Sequence, residues 1–247
     1  MKNGTLQQIW DRKSVRAYED RPVSAEDKRL ILEAALQAPT AGNQTLYTIL
    51  DITDPQLKER LSVTCDNQPF IAKAPLVLVF CADVRRWYDV FCQFGEEVRL
   101  PDAGDLFLAQ QDTLIAAQNA VVAAESLGIG SCYIGDVVEN FEIHRELLNL
   151  PQYVVPTCMV VFGYPNEQQR DRPKPPRFRV EDIVHENGYD AEKTARMGDM
   201  LAERGDLGKE ELVGWVQRFC KRKWNSEFSR EMSRSAHAIF DSWCGKG

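Results

Sequence analysis

Nowhere in the 247 residues is there a run of 18 or more apolar residues, and Met1 to Trp10 has neither the cationic start nor the apolar core of a signal peptide. The expectation is a soluble, cytoplasmic protein with no membrane partner. Basic charge is also short: 30 Lys and Arg against 37 Asp and Glu leave a net −7. A general nucleic-acid binder needs a basic surface to neutralise phosphates, so that class is excluded and any anion site must be local. Histidine is scarce, and His144, His185 and His237 are too scattered in sequence to form a metal site. Among the seven cysteines no Cys-x-x-Cys spacing occurs, and Cys81 and Cys158 lie inside apolar runs. They read as reduced core thiols and not as a disulfide framework. The common catalytic signatures are missing as well. There is no Gly-x-Ser-x-Gly, His-Glu-x-x-His or P-loop, and Gly128-Ile129-Gly130 follows a helical pattern and lacks the third glycine of a dinucleotide fingerprint.

What is present is an ordinary globular balance, 44% hydrophobic and 27% charged, in a chain long enough for one compact domain with an appendage. Thr5 to about Val15 reads as a helix with Leu6, Ile9 and Trp10 on one face. Ser24 followed by Ala25-Glu26-Asp27 and then Leu30, Ile31, Ala34, Ala35 and Ala38 reads as a capped amphipathic helix that Pro39 ends. Leu46 to Ile52 has strand composition. Pro75 to Ala82 and Thr157 to Gly163 are nearly continuous apolar runs, as strands buried on both faces require. The longest helical pattern, about Asp105 to Leu127, closes at Gly128. Its polar residues Asp112, Gln118, Asn119 and Glu125 rule out a membrane span, and its alanines suit close packing in a core or a subunit interface. Helical patterns also cover Phe141 to Leu148, Lys209 to Lys223 and Ser226 to Trp243. Helices around few strands give an α+β class.

Several groups suit an anion and a planar heterocycle, a division of labour in which a cofactor supplies the reactivity. Arg12-Lys13-Ser14-Val15-Arg16 places two guanidiniums, an ammonium and a hydroxyl within five residues, enough to hold one phosphate. The same run also reads as a solvated basic helix end. The loop Pro39-Thr40-Ala41-Gly42-Asn43-Gln44 joins a stop, a glycine and three polar side chains. Gln68 offers an amide that matches both a carbonyl and an N–H of a ring edge. Gly130-Ser131-Cys132-Tyr133-Ile134-Gly135-Asp136 reads as a glycine-bracketed loop whose backbone N–H groups can lie against a ring. Arg172-Pro173-Lys174-Pro175-Pro176-Arg177 can return cations to a phosphate.

Arg12 to Tyr18, the loop Pro39 to Gln44, Gly128 to Gly135, Phe162-Gly163-Tyr164-Pro165, Lys174 to Arg177 and Val184-His185-Glu186-Asn187-x-Tyr189 occur in one order. Together they resemble the nitroreductase family of FMN-dependent oxidoreductases, over about Leu6 to Tyr189. The resemblance implies a central mixed sheet flanked by helices in an intertwined homodimer, with FMN at the subunit interface. It makes residues 1–189 the FMN-binding domain and residues 190–247 a C-terminal helical extension. By position, Arg12, Lys13 and Ser14 look like the phosphate group of that family, with Lys174 and Arg177 closing on the same phosphate. An extra proline separates those two relative to the family's Lys-Pro-Arg, which leaves Arg172, Lys174 and Arg177 all open for that contact. Arg16 is similar in position to the cation beside the N1/O2 edge of the flavin, where negative charge develops on reduction. Gln68 resembles the amide on the pyrimidine edge. Thr40, Gly42 and Asn43 resemble the loop given by the partner subunit, and Tyr133, Ile134, Gly135 and Asp136 the segment over the ring near N5. The implied reaction is two-step hydride transfer: NAD(P)H, as co-substrate, reduces FMN and leaves, and a nitroaromatic or quinone-like small molecule takes the electrons. The side chains need supply no general acid.

Other readings compete. His185 is read as structural, because it lies in the segment leaving the core. Trp87, Tyr88, Phe91 and Phe94 suit core packing or a cap over an acceptor. The basic run Arg218 to Lys223 and Arg230 and Arg234 suit a solvated helix face or a dinucleotide phosphate. Reductive dehalogenation or an oxidation on the same fold is one alternative; dehalogenating relatives hold substrate through a lid with Glu, Tyr and Lys, and the excursion Val84 to Gly104 has no lysine. A non-enzymatic flavin-binding protein is the other.

Overall fold

Alternation along a single strand sets the centre of the molecule. The computed structural model describes residues 3–245. In chain order the first helices are α1 (Gly4–Asp11) and α2 (Ala25–Leu36), followed by strand β1 (Tyr47–Asp51), α3 (Pro55–Thr64) and β2 (Leu76–Asp83). Then come α4 (Arg85–Phe94), α5 (Ala103–Ser126), β3 (Gly130–Ile134), α6 (Phe141–Leu147) and β4 (Val154–Gly163). Every residue of β2 is buried. Leu76, Leu78 and Phe80 join a core cluster with α2 and α5, whereas Val77, Val79 and Cys81 join a second cluster with Leu61 of α3 and Met159 and Val161 of β4. A strand covered on both faces needs apolar residues at both parities, which is why this stretch reads as an unbroken run.

The strand order is β1-β2-β4-β3. All three pairings are antiparallel. The mixed sheet expected from the sequence is thus an antiparallel one, whose parallel component is a single bridge between Ser14 and Ser131 on the β3 edge. β3 is itself a correction, since Gly130 to Asp136 was expected to be a loop. Cys132 and Ile134 face the buried cluster at strand spacing, and only Gly135 and Asp136 turn away.

Local chemistry explains the helix limits. Ser24 accepts the Asp27 N–H and caps α2; Asp102 accepts the Ala103 N–H and Asp105 accepts the Asp102 N–H at the start of α5. Within α5 the residues Ala109, Asp112, Thr113, Ala116, Ala117, Ala120, Val121 and Ala124 are buried, and small side chains on that face let α2 and β2 approach.

The remaining elements are α7 (Glu167–Asp171), α8 (Val180–Ile183), α9 (Ala191–Ala195), α10 (Met197–Gly205), α11 (Lys209–Phe219), a π-helical turn (Cys220–Trp224) and α12 (Glu227–Trp243). The chain divides into two compact units, residues 1–172 with 231–247, and residues 173–230. The boundary expected from the sequence lies instead after residue 189. Ile239 and Trp243 of α12 are buried in a cluster with Leu46, Val84, Leu106 and Phe141, so the end of the chain belongs to the first unit. The second unit carries its own contacts, among them Arg179 paired with Asp182 and Glu203, the Arg204 guanidinium over the Phe178 ring, and Trp215 stacked on Phe219. Among the described residues no cysteine is in a disulfide. Among the described residues no helix is long and apolar enough to cross a membrane.

Candidate cofactor site

Two glycines decide where the Arg12–Tyr18 segment lies. A Cβ on Gly130 would meet Val15 Cγ2 at 2.4 Å, and one on Gly163 would meet the Tyr18 ring at 2.5 Å. Their absence lets the segment run against β3 and the end of β4. It is pinned there by Val15 N–H to the Ser131 carbonyl (2.9 Å) and Glu19 N–H to the Tyr164 carbonyl (2.8 Å). Val15 is buried between half-buried Ser14 and exposed Arg16, so the apolar residue anchors and the polar ones project. Burial pushes the Tyr18 hydroxyl up, against a smaller opposing pull from Arg16.

The segment meets α7 and Arg172 from its other side. The Lys13 ammonium donates to the carbonyls of Arg170 and Arg172, 2.5 Å each. Arg172 Nη2 donates to the Ser14 carbonyl (2.5 Å), and the Arg16 N–H donates to Gln169 Oε1 (3.2 Å). Two buried polar atoms here have no partner among the described residues, Arg172 Nε and Ser131 Oγ, on the two residues that hold Ser14. Of the groups expected at the phosphate, the structure thus brings Arg12, Lys13, Ser14, Arg16 and Arg172 into one neighbourhood. Lys13 spends two of its three protons on backbone. Lys174 and Arg177 lie in the second unit, Lys174 half-buried and Arg177 exposed with Nη1 on the Pro175 carbonyl at 3.4 Å.

Next to this cluster the Arg16 guanidinium sits 5.8 Å over the Phe70 ring, two residues from Gln68. Gln68 is half-buried; its amide nitrogen donates to the Cys65 carbonyl (2.8 Å), which fixes the side chain and leaves Oε1 as an acceptor. Tyr133 is half-buried with its hydroxyl on Gln118 Oε1 (3.3 Å), Ile134 is buried, Gly135 is exposed and Asp136 opens a 3-10 turn. Burial raises the Tyr133 hydroxyl and the Cys132 thiol, the latter partly offset by Arg16.

The loop after α2 is built by a residue the sequence did not single out for this purpose. Buried Asp112 of α5 accepts the Ala41 N–H (3.0 Å), the Leu46 N–H (3.3 Å) and the Thr40 hydroxyl, and Thr40 Oγ1 in turn accepts the Thr45 N–H (2.8 Å). Thr40 therefore shapes the loop, and exposed Gly42 and Asn43, both left-handed at φ 57° and 58°, form its tip. From the other side Trp87 Nε1 donates to the Gln44 carbonyl (2.6 Å). Trp87, Tyr88 and Phe91 line a cavity of about 350 Å³ with Gln44, Leu46 and Leu108. A carboxylate in the middle of an alanine-rich helical face was the available signal for Asp112. Gln169 gave none, being one glutamine in a polar stretch. His185 has the structural role expected of it: its Nδ1 accepts the Asp190 N–H (2.8 Å) and its ring packs on Tyr189.

The sequence pattern of the Nitroreductase family matches residues 9–164. The chain is 35% identical over 202 residues to an oxygen-insensitive NADPH nitroreductase of Salmonella typhimurium, covering 81% of each. It is 33% identical over 189 residues to an FMN reductase (NADPH) of Bacillus subtilis, covering 76% of this chain and 75% of that protein. The solved structure of the NfrA1 nitroreductase from B. subtilis superimposes with a TM-score of 0.76 at 28% identity, over 94% of this chain and 98% of that one. That coverage extends the likeness well past residue 189. On these matches the chain belongs to the nitroreductase family.

Proposed function

We propose that the chain is an NAD(P)H-dependent flavin oxidoreductase with FMN as its cofactor, and that the Arg12–Arg16 segment holds the FMN phosphate. The observation that carries the reading is the pair of buried, unpartnered donors, Arg172 Nε and Ser131 Oγ, flanking a segment rich in guanidinium, ammonium and hydroxyl groups. Buried donors without partners are costly, and an anionic acceptor relieves them. The donor set fits a phosphate: Arg12 and Arg172 give planar forks, Ser14 a hydroxyl, and Lys13 keeps one proton after its two backbone bonds. Lys174 and Arg177, two and five residues beyond Arg172, are the further cations expected there.

With FMN bound, Arg16 would face the N1/O2 edge of the ring and Gln68 its pyrimidine edge. Tyr133, Ile134, Gly135 and Asp136 would cover the ring, and Thr40, Gly42 and Asn43 would be supplied by the partner subunit of a homodimer. Supporting a second copy, α5 leaves Phe107, Leu114 and Ile115 exposed, more apolar surface on one helix than a monomer usually leaves in water. Cysteines outside any disulfide suit a reducing cytoplasm.

Bound there, FMN would supply two-electron chemistry, taking hydride from NADH or NADPH and passing it to a nitroaromatic or quinone-like acceptor in a ping-pong sequence. The chain's own residues bind the phosphate, set the ring's orientation and, through Arg16, favour the reduced charge state. Protons for the acceptor come from solvent.

The deciding experiment is direct. The purified protein is expected to be yellow with an FMN spectrum, and to oxidise NADPH or NADH in the presence of menadione or a nitrofuran. A colourless protein that takes up no FMN overturns the proposal. A yellow protein that neither nicotinamide reduces removes the NAD(P)H step.

A further inference from the structure

The turn that continues from Ile134 into α6 is fastened from elements distant in sequence. Asn140 is left-handed at φ 48°, and its N–H and that of Phe141 have no acceptor inside a helix that starts there. Their acceptors lie on α12: Glu231 Oε1 receives the Asn140 N–H at 3.1 Å, and Ser235 Oγ receives the Phe141 N–H at 3.2 Å. Ser235 donates to Glu231 (2.9 Å), and Arg234 bridges Glu231 and Glu142, 2.8 Å to each. From the opposite side His144 Nδ1 donates to the Val137 carbonyl (2.9 Å), and Nε2 lies 2.8 Å from the Thr64 hydroxyl oxygen. Between these ties sits Glu139, 4% exposed.

Charged and titratable groups act on it from the neighbouring elements: Asp136 on its own turn, Asp66 after α3, Glu231 on α12, itself paired with Arg234, and His144 of α6 at its backbone.

We propose that α12 is a positioning element for the Ile134–Asp136 segment, acting through Glu231 and Ser235, and that the charge on Glu139 sets how firmly that segment is held. The part concerning the flavin rests on the reading that Ile134–Asp136 covers the ring. Burial first, then Asp136, Asp66 and Glu231, push the Glu139 carboxyl up to about 7. A carboxyl raised in this way stabilises the closed turn when protonated, and the stabilisation is lost as pH rises from the ordinary glutamate range through about 7. His144 acts with the opposite sign, because burial keeps it neutral in the closed turn while an opened one would let it charge below its ordinary value.

The test is hydrogen exchange at the Asn140 and Phe141 amides of the flavin-loaded protein from pH 5 to 8, in wild type and Glu139→Gln, corrected for intrinsic exchange. The ratio of protection factors cancels His144. The variant-to-wild-type ratio is expected to rise roughly tenfold per pH unit between about pH 5 and 7 and then level off; a ratio independent of pH overturns the role of Glu139. Glu231→Ala is expected to lower Asn140 protection about tenfold at every pH, the size of one lost hydrogen bond to a charged group. Unchanged protection overturns the role of α12. The variant-to-wild-type ratio of the rates of flavin reduction by NAD(P)H should rise over the same pH range, and a rate indifferent to Glu139→Gln overturns the positioning of the flavin face. If no FMN is taken up, the functional reading fails, whereas the exchange ratios measured without flavin still decide the latch.

Discussion

Val15 and Gly130 are in contact so close that any β-carbon at residue 130 would lie 2.4 Å from Val15 Cγ2. The contact sets the distance between the cationic segment and β3, and with it the spacing of Ser14 from Ser131 and Arg172. Gly130→Ala is therefore expected to push Arg12–Arg16 off the strand, at a cost of about 1–3 kcal/mol for overpacking. Flavin retention on gel filtration should fall along with the melting temperature. Val15→Ala in the same chain removes both Cγ atoms and leaves only the Val15 Cβ, at 2.8 Å, so the double variant should recover part of the flavin. No recovery would mean that the segment's position is unimportant to the cofactor.

Arg16 is exposed; its backbone N–H is held by Gln169, and its guanidinium lies over the Phe70 ring and acts on the Cys132 thiol. Its replacement should leave the fold intact. Arg16→Ala is expected to weaken FMN binding or lower the flavin's reduction potential, since a fixed cation at the N1/O2 edge stabilises the reduced, negatively charged ring. Arg16→Lys should keep most of the potential. Spectroelectrochemical titration of the bound flavin checks both, and an unchanged potential with unchanged retention counts against this placement.

How much of this was legible in sequence depends on whether the cause was local. α2 was legible because Ser24 and the 3.6-residue spacing of Ile31 and Ala35 act within a few residues. β2 was legible because a strand covered on both faces must be apolar throughout. β3 was read as a loop because its glycine, which looks like a turn residue, is there for Val15, more than a hundred residues earlier. The cationic clusters at Arg12–Arg16 and around Arg172 could be paired from composition and order alone, but the hydrogen bond from Arg172 to the Ser14 carbonyl could not. The division at residues 172 and 231 was not legible for a similar reason. Nothing in the periodicity of α12 says that Ile239 and Trp243 pack beside Leu106 and Phe141, since helical spacing reports a buried face and not what covers it.

Asp112 organises the Thr40–Leu46 loop through two backbone N–H groups and one hydroxyl while itself almost wholly buried. Asp112→Ala strands those donors, at a cost on the order of 2–3 kcal/mol, within the range for removing a charged acceptor. The loop carrying Gly42 and Asn43 should become open to proteolysis before the rest of the protein does. If this loop completes the partner's flavin site, retention of FMN in the dimer falls as well. Asp112→Asn keeps one acceptor and should lie between the two. Equal protease resistance in all three proteins would show that Asp112 does not shape the loop.

Acid stability provides a separate check on α12. Hydrogen bonds from Arg234 first, then from Ser235 and the Asn140 N–H, hold the Glu231 carboxyl down at about 2, against a smaller opposing effect of desolvation. A depressed carboxylate contributes stability that is present above its ordinary value near 4.5 and lost as pH falls through about 2. Glu231→Gln cannot ionise, so its deficit in stability relative to wild type should be constant above about pH 5 and should shrink between pH 4.5 and 2. Urea unfolding at a series of pH values measures that difference directly. A deficit that stays level down to pH 2 would mean that Glu231 is held no more tightly in the folded chain than in the unfolded one, and that its contact with Asn140 does not help to fix the start of α6.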